Sequence, residues 1–273
     1  MVIRIIGTGH ILSRSVEEVR TAISEEMPDL VAVELDLKRF RALEDVGFDP
    51  KSYQRRVSFK DLIVSLVGGG SFPVFLEGVL ALIQKELGEK YGIYPGSDMC
   101  AAIVSAKNSG SRIALIDRDI EITMNRLMRV PLREIVHLLL SRGDDLELVS
   151  RLLNSNIEGI LEKENLDIIM DRLKKEIPNT YKVLVDERDR YMAHTLHRIQ
   201  KENPGAKILA VVGAGHKRGI SEYLERIEKG YGADIQKILE IRPVSSVRIL
   251  FLVFMVFVTF ILIKSGFLLM RKK

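Results

Sequence analysis

Two short stretches constrain this chain more than anything else in it. Val2 to Ile6 runs into Gly7-Thr8-Gly9-His10, and Ile208 to Val212 runs into Gly213-Ala214-Gly215-His216. Each then gives way to a helix-like segment. Runs this apolar, interrupted only by Arg4 in the first, belong to strands in the middle of a parallel sheet. Ligand sites in such sheets lie just past the carboxyl ends of the strands, so both histidines are expected there. The glycines ahead of each histidine let the backbone turn sharply and bring the imidazole close to a ligand. The expected architecture is α/β: a mainly parallel sheet flanked by helices, with a helical insertion and a C-terminal transmembrane helix.

Between the two units the pattern repeats. Ser15-Val16-Glu17-Glu18 reads as a capping box. Val16, Val19, Ile23 and Met27 form an apolar stripe that Pro28 stops. Leu30 to Leu35 is the next strand, with Glu34 near its carboxyl end. A glutamate in an otherwise buried run is costly unless it is paired or ligated. The resulting βαβ unit is expected to put His10 and Glu34 at neighbouring strand ends. Arg112 to Ile116 is a third strand, ending in Asp117-Arg118-Asp119. Those charges are either functional or a helix N-cap at Asp119 with an Arg–Asp pair. Tyr181 to Asn203 reads as a helix carrying Asp186-Glu187-Arg188-Asp189, and Ile235 to Ile241 as a last strand.

Residues 1–243 are thus expected to form the α/β domain, with helical insertions at about 55–93 and 124–177. The apolar stretch 59–91 reads as core packing, with a cover over the site, a homo-oligomer surface or a membrane-facing patch as alternatives. The single cysteine, Cys100, excludes a disulfide framework and a Cys-rich zinc site. It reads as a small buried hydrophobe rather than a nucleophile.

Charge matters here only by its position. From Val247 onward there are five basic residues (Arg248, Lys264, Arg271, Lys272, Lys273) and no acid. Removing those five from the 41 Lys and Arg leaves 36 against 37 Asp and Glu, so no basic face remains to attract nucleic acid. The same tail is apolar from Ile249 to Ile263 and again from Ser265 to Met270. That is about the 20 residues a bilayer crossing needs, and residues 247–270 are read as a transmembrane segment. The N-terminus shows no signal-peptide pattern, so the domain is expected on the cytoplasmic side. The cluster Arg271-Lys272-Lys273 argues that its own end is cytoplasmic too. A single crossing cannot satisfy both; further spans in a larger parent protein, or a hairpin insertion, would.

Three chemistries fit the strand-end residues. In the first, His10, His216 and Glu34 ligate a divalent metal. Imidazole and carboxylate without thiolate suit manganese, cobalt, zinc or iron. Such an ion would activate water and polarise an amide or ester carbonyl, with Arg118 stabilising the oxyanion. In the second, Glu34 and the histidines do acid/base work without a metal. In the third, Gly7-Thr8-Gly9 starts a dinucleotide fingerprint, but position 12 is leucine where a third glycine is needed.

Taken in order, GTGH, the VELD containing Glu34, YPGSDM, LIDRDI, DERDRYM and VVGAGHKRGI resemble the TraB/PrgY family of pheromone-shutdown proteins. The similarity runs from about Ile3 to Ile241. Animal Tiki proteins, which are metal-dependent proteases, and erythromycin-esterase-like enzymes look like distant relatives. The resemblance implies membrane anchorage and a hydrolase acting on peptide signals, or a module that sequesters them without cutting. It carries over His10, Glu34, Arg118 and His216 as site residues. Gly7, Gly9, Asp117, Glu187, Arg188, Gly213 and Gly215 fall in the same motifs as supporting residues.

Overall fold

The computed structural model describes residues 3–9, 13–55, 96–134, 163–232 and 234–248. Four parallel strands form its centre: β1 (Ile3–Thr8), β2 (Leu30–Val33), β3 (Arg112–Leu115) and β4 (Ile208–Gly213). Their spatial order is β1-β4-β2-β3. β1 and β4 run in register to their ends, Thr8 opposite Gly213. Thus the two GxGH units leave the sheet side by side. Glu34 departs from the second strand, which is separated from β1 by β4. The expected neighbourhood of the His10 and Glu34 strand ends is corrected accordingly: Glu34 neighbours the His216 unit. A strand arriving late in the sequence has been inserted between the first two, which local pattern cannot show.

Why β2 and β4 read as unbroken apolar runs is clear from what covers them. Ile6, Val31, Val33, Leu209 and Val211 point to one face. They meet Val19 and Ile23 of α1 (Ser13–Glu26) and Met99, Ala102 and Ile103 of α4 (Ser97–Ser109), the fourth helix after α2 (Leu37–Glu44) and α3 (Pro50–Arg55). Ile3, Leu30, Ala32, Ile208, Ala210 and Val212 point to the other. There they meet Met192, Leu196, Ile220 and Leu224. Val31, Ala32, Val33, Ala210, Val211 and Val212 are all fully buried. Each such Val contributes about 1.5–3 kcal/mol relative to exposure, so the sheet centre is held mainly by hydrophobic burial.

Past β3 come α5 (Ile120–Leu127), α6 (Lys163–Glu176), α7 (Pro178–Tyr181) and a π-helical turn (Lys182–Asp186) leading into α8 (Glu187–Glu202). After β4 come α9 (Ala214–Glu228) and the short α10 (Gln236–Leu239). Three expectations change. Ile235 to Ile241 contains a helical turn, not a strand; its carbonyls serve side chains rather than a sheet, with Ile238 O and Lys237 O accepting from Arg118 and Arg126. Ser15 lies inside α1 rather than before it, and its hydroxyl accepts from Gly9 N at 3.1 Å. The helix expected from Gly219 to Lys229, after the second GxGH, begins within that motif: Gly213 is the N-cap and His216 sits in the first turn of α9.

Among the described residues no helix is long and apolar enough to cross a membrane. The stretch 249–270, His10, the insertion 56–95 and residues 135–162 lie outside the described residues.

Candidate functional site

Glu34 is the first residue past the last pairing of β2, and its N–H still donates to Val211 O. Position and rotamer send its carboxylate along the sheet edge to β4. There Oε2 accepts from Gly213 N at 2.6 Å. The other oxygen, Oε1, lies 3.4 Å from His216 Nε2 and is bonded by Arg188 Nη2. Both Glu34 and His216 are buried, with 6% and 8% of their surface exposed.

His216 is aimed by Asp189, whose Oδ1 lies 2.6 Å from Nδ1. The neutral ring then carries its proton on Nδ1 and presents Nε2 as acceptor to Arg188 Nη1 at 3.0 Å. A second proton would make Nε2 a donor toward Glu34. Burial opposes that protonation, but Glu34 and Asp189 outweigh it, and the pKa of His216 is raised. Burial also pushes Asp189 up, to about 6, against the pull of His216. The pair therefore holds its proton more tightly than either group would in water.

Arg188 is the hub. Besides Glu34 and His216 it reaches Asp117 through Nε at 3.1 Å and Nη2 at 2.7 Å. Arg39 meets the same carboxylate at 2.5 Å and bonds Asp36 at 2.7 Å. Burial alone would raise the pKa of Asp117; Arg188 and Arg39 instead hold it well below the ordinary carboxylate range.

Arg118 stands elsewhere. Its side chain is fully buried and donates to Glu187 Oε2 at 3.0 Å, Thr123 Oγ1 at 3.1 Å, Ile238 O at 2.9 Å and Val183 O at 3.2 Å. Val183 is in the π-helical turn, where the altered hydrogen-bond spacing leaves carbonyls for side chains. Consecutive residues are thus mated crosswise: Asp117 with Arg188 toward the cleft, Arg118 with Glu187 away from it. The arginine that reaches Glu34 and His216 is Arg188.

Sequence reasoning had not singled out Asp189, Arg39, Asp36 or Asp98. Asp98 is 1% exposed and accepts from the hydroxyl of Thr8 at the end of β1. The available signal was position: Asp36 follows the VEL run, and Asp189 stands two residues past Glu187 in the DERDRYM helix. Gly7 and Gly215 are explained by close packing. A Cβ on Gly7 would meet Ala214 Cα at 3.0 Å, and one on Gly215 would meet Met170 Cε at 3.3 Å. Gly9 turns the chain out of β1, its N–H held by Ser15.

An imidazole whose far nitrogen is held by a carboxylate is the usual setting of a metal-bound histidine. His216 Nε2 and Glu34 Oε1 therefore suit a divalent cation. Among the described residues no third His, Cys, Asp or Glu completes a metal-holding group with them. The guanidinium of Arg188 bonds both donors. A polar recess of about 200 Å³ adjoins the cluster, lined by Tyr181, Asp186, Asp189, Gly215, Arg218 and Tyr223. It touches neither Glu34 nor Arg188, so it borders the site rather than containing it.

The comparisons with known proteins cover the same span. The model of the TraB/PrgY/gumN family matches residues 2–232. An uncharacterized protein of Methanocaldococcus jannaschii is 39% identical over 245 residues, covering 88% of this chain and 57% of that protein. A TraB domain-containing protein of Bos taurus is 26% identical over 262 residues, covering 89% and 66%. The human TraB domain-containing protein is 25% identical over 258 residues, covering 88% and 66%. The chain thus spans 57 to 66% of the length of these relatives. On the family match, which spans most of its length, the chain belongs to the TraB/PrgY/gumN family.

Proposed function

We propose that the strand-end cluster is the active site of a peptide hydrolase, of the kind that shuts down peptide signals such as pheromones. The observation that carries this reading is the meeting of Glu34 Oε1, His216 Nε2 and the Arg188 guanidinium at the carboxyl edge of a parallel sheet. Base, imidazole and cation within hydrogen-bond reach of one another are the parts that acyl transfer to water requires. Residues 247–270 anchor the domain in a membrane on this reading, with the domain on the cytoplasmic side.

Each residue has a task. Asp189 keeps the His216 proton on Nδ1, so that Nε2 faces the reacting atoms. Gly213 N–H fixes Glu34 Oε2 and turns Oε1 to the site, as a ligand where an ion is held and as the base that takes the water's proton where none is. Arg188 supplies positive charge where the carbonyl oxygen becomes an oxyanion, a term worth about 10²–10³ in rate for one donor elsewhere. Asp117, shared with Arg39, keeps Arg188 at that position. Manganese, cobalt, zinc or iron held by His216 and Glu34 with His10 would supply a polarised water at neutral pH.

The rival is a module that sequesters a peptide without cutting it. It is favoured by one observation, that Arg188 already engages both Glu34 and His216. Incubating the purified chain with a defined peptide mixture, with metal and with chelator, separates the two by mass spectrometry. Metal-dependent new termini support the hydrolase. Peptide capture with no new termini supports sequestration and removes the hydrolase.

A further inference from the structure

We infer that Arg188 and a divalent cation compete for the same two donors, so that an ion enters this site only by displacing the guanidinium from His216 and Glu34. The inference rests on the metal-holding reading above and concerns how that site is controlled.

Arg188 Nη1 lies 3.0 Å from His216 Nε2, and Nη2 is bonded to Glu34 Oε1. Those are the nitrogen and oxygen lone pairs that an ion would take. A guanidinium offers only donors, and its charge repels a cation placed beside it. The two occupants therefore exclude each other at this pair.

Displacement does not require the side chain to leave. Arg188 also grips Asp117 through Nε at 3.1 Å and Nη2 at 2.7 Å, and Leu184 O through Nη1 at 3.2 Å. The Asp117 fork is the stronger, two-pronged attachment. Asp117 is itself steadied by Arg39 at 2.5 Å. Arg188 can thus stay on Asp117, give up both His216 Nε2 and Glu34 Oε1, and remain next to the ion. Without an ion it neutralises Glu34 and holds His216 in place. With one, it becomes the positive group left facing a substrate carbonyl. A single residue then links ion loading to the readiness of the oxyanion site. The chain's own charge sets how tightly the ion binds.

Calorimetric titration of Mn²⁺ and of Zn²⁺ into the purified full chain in detergent tests this, alongside Arg188→Gln and Arg188→Lys. Removing the competitor is expected to tighten ion binding by about tenfold or more in Arg188→Gln, the scale of an ordinary coupling between two binding events. Arg188→Lys, which keeps the charge without the fork, should fall between. In the unaltered chain, Zn²⁺ should shift the Arg188 Nε–Hε NMR signal, a readout that needs no variant to fold. Unchanged or weaker affinity in both variants, with ion binding by the parent intact, overturns the competition and leaves the site reading standing. No ion bound by any of the three overturns both.

Discussion

Asp189 and Gly219 face each other across two packed helices with no room for a side chain between them. A Cβ on Gly219 would run into the carboxylate of Asp189, with Cγ at 2.8 Å and Cβ at 3.2 Å. The absent side chain lets α8 lie close enough to α9 for Asp189 to reach His216. Gly219→Ala should therefore push Asp189 away from Nδ1 and destabilise the domain by about 1–3 kcal/mol, as other overpacked sites do. Thermal unfolding reads the second effect, and a shift of the His216 ring signals reads the first. A variant with both unchanged would show that Asp189 is held by something else.

Asp189→Asn keeps shape and removes charge. Burial already pushes Asp189 up to about 6, so a neutral amide should cost little stability. The amide can no longer enforce the Nδ1–H tautomer. Loss of such a carboxylate typically costs about 10–100-fold in metal affinity or activity. The predicted pattern is an unchanged melting temperature with that functional loss.

Glu187 predicts a pH dependence. Burial works to raise its pKa, but Arg126 and Arg118 prevail and it stands below the ordinary 4.5. A carboxylate depressed in the folded state adds stability that is present above its unfolded pKa and lost as pH falls through the folded one. Glu187→Gln should thus flatten the acid side of the stability curve below pH 4.5. At neutral pH it should cost about 3–5 kcal/mol, because the Arg118 charge is left buried without the carboxylate that balances it. Urea unfolding from pH 3 to pH 7 (roughly the interval in which free glutamate titrates) measures both.

Cys100 is 3% exposed, and burial, with Asp98 nearby, pushes its thiol up to about 12. It should resist thiol reagents in the folded protein and react at once in denaturant. Fast labelling of the native chain would contradict the burial.

The sheet was legible in the sequence because its two central strands, β2 and β4, are buried on both faces and must be apolar throughout. Glu34 and His216 were legible for the converse reason: polar residues at the ends of such runs are out of place unless they act. Facing was less accessible. Asp117 and Arg118 are adjacent, as are Glu187 and Arg188, and which of Glu187 and Arg188 turns toward the cleft depends on how the π-helical turn rotates the start of α8. One extra residue in that turn changes the phase by about 100°, since a helical residue advances by that much. So the sequence pointed to Arg118, while the geometry puts Arg188 beside His216. Strand order escaped for a different reason. The insertion of β4 between β1 and β2 is a long-range pairing that no local pattern encodes.

The most direct test of the central claim is the turnover of a cleaved peptide by the parent chain and by Glu34→Gln. Glutamine keeps the Gly213 N–H bond through its carbonyl oxygen but cannot take a proton from water. The account predicts that cleavage falls by about 10²-fold or more while peptide binding persists. Cleavage at the parent rate in Glu34→Gln would contradict it.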